Sequence, residues 1–154
     1  MAIRDFHHTV LLVTDFDRSV DFYTRVLGFE LVSRDDDRRG PFLDQMFALP
    51  DVVIKLALVR GGGEIVELIE PVSPAALKRG TDASDADFGI ARLGFEVDDI
   101  EQMVSDMKAQ GVRFLSDIVD MTVGHYAGGR VVFFKDPDGI LLELQQPASP
   151  GQVT

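Results

Sequence analysis

Val13-Thr14-Asp15-Phe16 and Val97-Asp98-Asp99-Ile100 stand 84 residues apart and read alike. Each closes an apolar run and opens a segment of helical period. In the first, Phe16, Val20, Tyr23 and Leu27 fall at i, i+4, i+7 and i+11; in the second, Ile100, Val104 and Met107 repeat those steps. That spacing puts each set on one helical face. Asp15 and Asp99 are the expected N-caps, because a short acceptor side chain satisfies a first-turn N–H. Gly28 and Gly111 follow the last turns as stops.

The two segments also end alike. Ile65-Val66-Glu67-Leu68-Ile69-Glu70-Pro71 matches Leu141-Leu142-Glu143-Leu144-Gln145-Gln146-Pro147 at an offset of 76. The offset shrinks because the first half has a longer middle, Arg34 to Pro50, expected as a polar loop and a short helical candidate over Phe42–Leu49. The strands expected in the first half are Phe6–Val13, Phe29–Arg34, Val52–Val59 and Glu64–Glu70. Those in the second are Ile90–Val97, Val112–Asp117, Arg130–Phe134 and Ile140–Gln145. Helices are expected over Phe16–Leu27 and Ile100–Gln110. Gly61-Gly62-Gly63 and Asp136-Pro137-Asp138-Gly139 are hairpin turns before the last strands. The pattern is an α+β chain of paired βαβββ modules, forming a cupped eight-stranded sheet around a cleft. Its divisions are module 1 over 5–71, a linker over 72–88, module 2 over 89–147 and a tail over 148–154.

The composition narrows the chemistry. The chain has 154 residues and no cysteine. Disulfides, thiolate metal sites and cysteine nucleophiles are therefore excluded, and any metal needs nitrogen and oxygen ligands. Fifteen basic against 26 acidic residues give a net charge of −11. Such a surface repels a phosphate backbone, so nucleic acid is not an expected partner. Apolar runs are too short to span a bilayer and the first residues lack a signal-peptide pattern. The expectation is a soluble cytoplasmic protein with no membrane partner. Asp35-Asp36-Asp37 and the acidic run from Asp82 to Asp87 read as solvated loops.

Polar residues inside apolar strands are the informative ones. His8 lies in the first strand, Glu67 in the fourth. The offsets carry position 8 to Arg92 and position 67 to Glu143. The repeat thus sets four polar residues in two equivalent places. His7 competes with His8, since strand alternation sends the two to opposite faces. One imidazole with two carboxylates suits a divalent ion such as Zn²⁺, Ni²⁺, Co²⁺, Mn²⁺ or Fe²⁺. Read singly, the same residues are an ordinary half-buried histidine and solvent-facing glutamates. His125, in the glycine-bearing loop Val123–Gly129, is either an exposed loop residue or a substrate contact. No GxSxG elbow, P-loop or GxGxxG after a strand occurs, and no organic cofactor is expected.

At these residues the sequence resembles the vicinal oxygen chelate superfamily, which includes glyoxalase I, methylmalonyl-CoA epimerase, extradiol dioxygenases and bleomycin-resistance proteins. The carrying segments are His8–Asp15, Asp21-Phe22-Tyr23 through Gly28-Phe29, Gly94–Asp99 and Asp136–Leu144. The resemblance implies one divalent metal held at four positions, which fall here on His8, Glu67, Arg92 and Glu143. Arginine departs from the family's histidine: it keeps its proton and cannot ligate a cation. Two outcomes are open. Either Arg92 swings away and leaves His8, Glu67, Glu143 and water around a metal, or it bonds the two glutamates and replaces the metal. The resemblance further implies a glyoxalase- or epimerase-like isomerase or lyase that moves a proton next to a carbonyl on a small acyl or thioester substrate. The metal or Arg92 would stabilise the oxyanion, with Glu143 or Glu67 as base. The alternative is a metal-free, non-catalytic binder of the bleomycin-resistance type. A homodimer is expected from the resemblance and from the sheet edges left to cover.

Overall fold

The computed structural model describes residues 7–74, 92–123 and 126–149. The expected strand starts at Phe6 and Ile90, the linker from residue 75 onward, His125 and the end of the tail lie outside the described residues. The chain divides into two compact units, Met1–Ala83 and Ser84–Thr154.

The first unit runs β1 (Thr9–Leu12), α1 (Phe16–Asp21), β2 (Glu30–Arg39), α2 (Pro41–Phe47), β3 (Val53–Gly61) and β4 (Glu64–Ser73). Its four strands form one mixed sheet in the order β1-β4-β3-β2, with β1 parallel to β4 and the other pairs antiparallel. The second unit runs β5 (Leu93–Glu96), α3 (Ile100–Ala109), β6 (Val119–Asp120), β7 (Arg130–Lys135) and β8 (Leu141–Gln146). Its sheet has the same plan, β5-β8-β7-β6, with β5 parallel to β8. The eight strands are two four-stranded sheets, each built from a βαβββ-like module.

Register fixes the equivalence. Val10 pairs with Glu67 and Gly94 with Glu143, which are the same two places under the offsets of 84 and 76. Both expected caps form: Asp15 Oδ1 accepts from the Arg18 N–H and Asp99 Oδ1 from the Gln102 N–H, each at 3.0 Å. A second cap comes from the terminal strands. Glu70 Oε2 accepts from the Phe16 N–H at 2.8 Å, and Gln146 Oε1 from the Ile100 N–H at 3.0 Å. A cation holds each acceptor: Lys55 Nζ lies 3.3 Å from Glu70, and an Arg130 terminal nitrogen donates to Gln146 Oε1 at 2.8 Å. Glu70 and Gln146 thus point to the helix face of their sheets. Successive strand residues alternate sides, so Glu67, Ile69, Glu143 and Gln145 point away from it.

Phe16 and Val20 of α1, with Tyr23 in the turn that follows, form one buried stripe, as Ile100, Val104 and Met107 do for α3. The expected single helix to Leu27 changes winding at Phe22: residues Phe22–Val26 form a π-helical turn, closed by Leu27 N–H donating to the Phe22 carbonyl at 3.1 Å. The Thr24 hydroxyl donates to the Val20 carbonyl at 2.7 Å, a back-bond that competes with the α-helical ladder at the point of change. Gly28 and Gly111 stop the helices at φ 72° and 86°.

Two expectations need correction. Asp35-Asp36-Asp37 is not a loop; β2 runs through it, paired with β3 and bulged between Asp35 and Arg38. Arg34 bonds Asp36 and Asp17, Arg38 bonds Asp35, and Arg39 bonds Asp37. Hydrogen bonds from Arg38 and Arg34 hold the Asp35 and Asp36 carboxyls below their ordinary range. Like charges that would repel along an extended chain are each paired with a cation, and the charge then suits the outermost strand. Second, Val112–Asp117 is not a strand. Phe114 makes one bridge to Phe134, and the strand beside β7 is β6, further along. Helix α2 does form. Leu43 packs with Val52, Ile54, Leu56 and Ile69, covering the side of the first sheet that faces away from α1.

Candidate functional site

Each unit places one pair of the four residues singled out by the repeat. In the first, β1 begins only at Thr9, so alternation does not separate His7 from His8. This corrects the expectation of opposite faces. The two rings meet edge to face with centroids 4.9 Å apart and their Nδ1 atoms 2.6 Å apart. One Nδ1 must carry the hydrogen and the other accept it. His8 Nε2 lies 3.6 Å from Glu67 Oε2, within ion-pair reach but beyond a hydrogen bond. The neighbours of Glu67 across the sheet are Val10 and Leu58.

In the second unit the equivalent pair is closer. Arg92 Nε donates to Glu143 Oε2 at 2.5 Å. Glu143 is the more enclosed partner, with 13% of its side chain exposed against 44% for Arg92. Gly94, beside Glu143 in register, has no side chain; a Cβ there would lie 3.9 Å from the Glu143 carboxyl carbon. On the other side of Glu143 stands Phe133, and the Arg92 guanidinium lies over its ring, 4.8 Å from the centroid. Arg92 is therefore held by a charge-assisted hydrogen bond and by stacking, both of which orient a planar guanidinium.

Two residues of this face escaped the sequence reading. Phe133 lacked a signal, since its place is set by pairing with Glu143. Gln145 had one: it stands where the first unit has Ile69, a polar residue at an apolar repeat position. Its Nε2 is buried and has no hydrogen-bond partner among the described residues.

A divalent ion fits these donors unevenly. His8 and Glu67 present a nitrogen and an oxygen suited to one. Glu143 does not: its carboxylate is already neutralised by a cation that cannot leave its proton. No group of three or more His, Asp or Glu side chains placed to hold a metal occurs among the described residues.

The sequence profile of the Glyoxalase/Bleomycin resistance protein/Dioxygenase superfamily matches residues 5–144. A lactoylglutathione lyase from Pseudomonas putida is 33% identical over 152 residues, covering 92% of this chain and 84% of its own. A 2-epi-5-epi-valiolone epimerase from Actinomyces sp. is 32% identical, covering 90% and 76%. Among solved structures, a glyoxalase family protein from Bacillus cereus superposes with a TM-score of 0.82 at 20% identity, covering 97% of both chains. A fosfomycin resistance protein from Listeria monocytogenes, solved with Mn(II) and sulfate, superposes at 0.60 and 18% identity, covering 99% and 100%. The fold is that of a paired-module enzyme and binding-protein class, some of whose members hold a divalent metal. The chain belongs to the vicinal oxygen chelate superfamily, the glyoxalase/bleomycin resistance/dioxygenase group. No helix among its described residues is long and apolar enough to cross a membrane.

Proposed function

We propose that the protein is a glyoxalase- or epimerase-like isomerase or lyase that moves a proton on the carbon next to a carbonyl of a small acyl or thioester substrate. The observation that carries this is the Arg92–Glu143 pair, a fixed cation and a carboxylate on one face of one sheet. Kinship with a lyase and an epimerase, both above 30% identity, supports the same class.

Arg92 is the electrophilic group. As the proton leaves, negative charge develops on the carbonyl oxygen, and a guanidinium held in place beforehand stabilises it without reorganising. Glu143 takes the Nε–H and the Phe133 ring supports the plane of the guanidinium. Glu143 is the base that removes and returns the proton; a positioned base contributes about 10²–10⁴-fold. Because Glu143 is already engaged by Arg92, no step is routed through a divalent ion.

The test is deuterium incorporation, followed by proton NMR in heavy water, at the carbon beside the carbonyl of S-lactoylglutathione, a thioester. Wild type is expected to exchange it, and Arg92→Gln to lose about 100-fold or more of that rate. Exchange undiminished in Arg92→Gln would remove Arg92 from the chemistry. Binding without exchange would replace catalysis by sequestration, and neither binding nor exchange would overturn the substrate class.

A further inference from the structure

We propose that Gly94 is a specificity residue, its missing side chain leaving the space in which the carbon that loses its proton meets the Glu143 carboxylate. The inference rests on the carbonyl-directed reading above. Two ordinary reasons for a glycine are absent at this position. Gly94 lies in extended strand backbone, so no left-handed conformation calls for it. Among the described residues, a Cβ added there would meet only Glu143, at 3.9 Å from its carboxyl carbon and 4.0 Å from its Cβ, both ordinary contacts. The strand therefore accepts a side chain, and a glycine inside a strand weakens it. What the glycine leaves is room, and the room adjoins the carboxylate.

That room exists in one unit only. Position 10 stands beside Glu67 as position 94 stands beside Glu143, and position 10 is a valine. Both neighbours of Glu67 across the sheet, Val10 and Leu58, carry side chains. The neighbours of Glu143 are Phe133, which lies under the Arg92 guanidinium, and Gly94, which is exposed. Arg92 Nε engages Oε2 of Glu143, and Oε1 accepts no hydrogen bond among the described residues. One carboxylate oxygen and one flank without a side chain are thus left together.

Proton transfer needs the two heavy atoms about 3–3.5 Å apart. A carbon at that distance from the Glu143 carboxylate fills the same volume as a methyl group on residue 94. The two exclude each other, so the size of residue 94 sets how bulky a carbon reaches the base. With glycine, a carbon that bears a methyl substituent is admitted. With alanine, the methyl of the protein takes the place of the methyl of the ligand.

The experiment is deuterium exchange with S-lactoylglutathione and S-glycolylglutathione, whose acidic carbons differ by one methyl group. Wild type is expected to exchange both. Gly94→Ala should lose about tenfold or more with the lactoyl ester and about threefold or less with the glycolyl ester. Gly94→Val should lose about 100-fold with both, and neither variant should melt lower than wild type. Lactoyl exchange undiminished in both variants overturns this proposal and leaves the carbonyl-directed reading standing. Equal losses with the two esters in Gly94→Ala, a lower melting temperature or a changed sedimentation coefficient assign the glycine to the strand or its edge, and overturn the proposal too. Failure of wild type to exchange either ester overturns the carbonyl-directed reading, and this with it.

Discussion

Arg92 stands where the family resemblance implies a metal-binding histidine, and its placement changes what the carboxylate beside it can do. A lone carboxylate on an apolar sheet is a ready ligand. With a guanidinium nitrogen 2.5 Å away it is a satisfied anion. Replacing Arg92 by histidine removes the fixed charge and supplies a neutral nitrogen in its place. Affinity for Ni²⁺, Zn²⁺ or Mn²⁺ is expected to rise about tenfold or more, even after solvent screening of a partly exposed charge. Calorimetric titration of wild type and Arg92→His measures this. Equal, tight binding by both would put Arg92 outside the metal's field. At this scale the sequence displayed the polar residues and their symmetry, and one of its two outcomes for Arg92 included the bond to Glu143 that forms. Glu67 meets His8 and Glu143 meets Arg92, but nothing in the repeat foretold the Phe133 ring under Arg92 or the contact of His7 with His8.

The elements carry the repeat most plainly. Glu70 and Gln146 each accept from the first backbone N–H of a helix, from the same place in the last strand of their unit. One is an anion and the other a neutral amide, so the shared property is an oxygen acceptor and not charge. Glu70→Ala is expected to lower unfolding stability by about 1 kcal/mol, the usual cost of losing a cap, whereas Glu70→Gln keeps the acceptor and should lose about half as much or less. Urea unfolding midpoints of the two variants compare them; equal losses would show that the Lys55 ion pair and not the cap matters. Helix stripes, aspartate caps and glycine turns were legible because each depends on residues close in sequence. The course of β2 was not, because its aspartates are made tolerable by arginines whose pairing follows from the fold. Nor was β6, since alternation in Val112–Asp117 is a local pattern and pairing with β7 is a distant one.

For the whole chain, the two sheets share a plan but not a surface. The side of the first sheet that faces away from α1 is partly covered by α2, while Val10 and Leu12 on its edge strand remain 44% and 36% exposed. An edge strand with exposed apolar side chains favours a partner. We expect a homodimer, to be checked by sedimentation velocity at micromolar concentration; a single monomer boundary would refute it.

The parallel pairing inside each unit bears on how the chain is made. Thr9 lies beside Val66, and Leu93 beside Leu142, gaps of 57 and 49 residues. A polypeptide emerging from the ribosome therefore presents the first strand of each unit long before its neighbour exists. The hairpin of β3 and β4 joins residues only a few positions apart at its turn, so it can close early, whereas β1 has to wait for the last strand of its unit to be translated. In both halves, the oldest strand is the last to be enclosed.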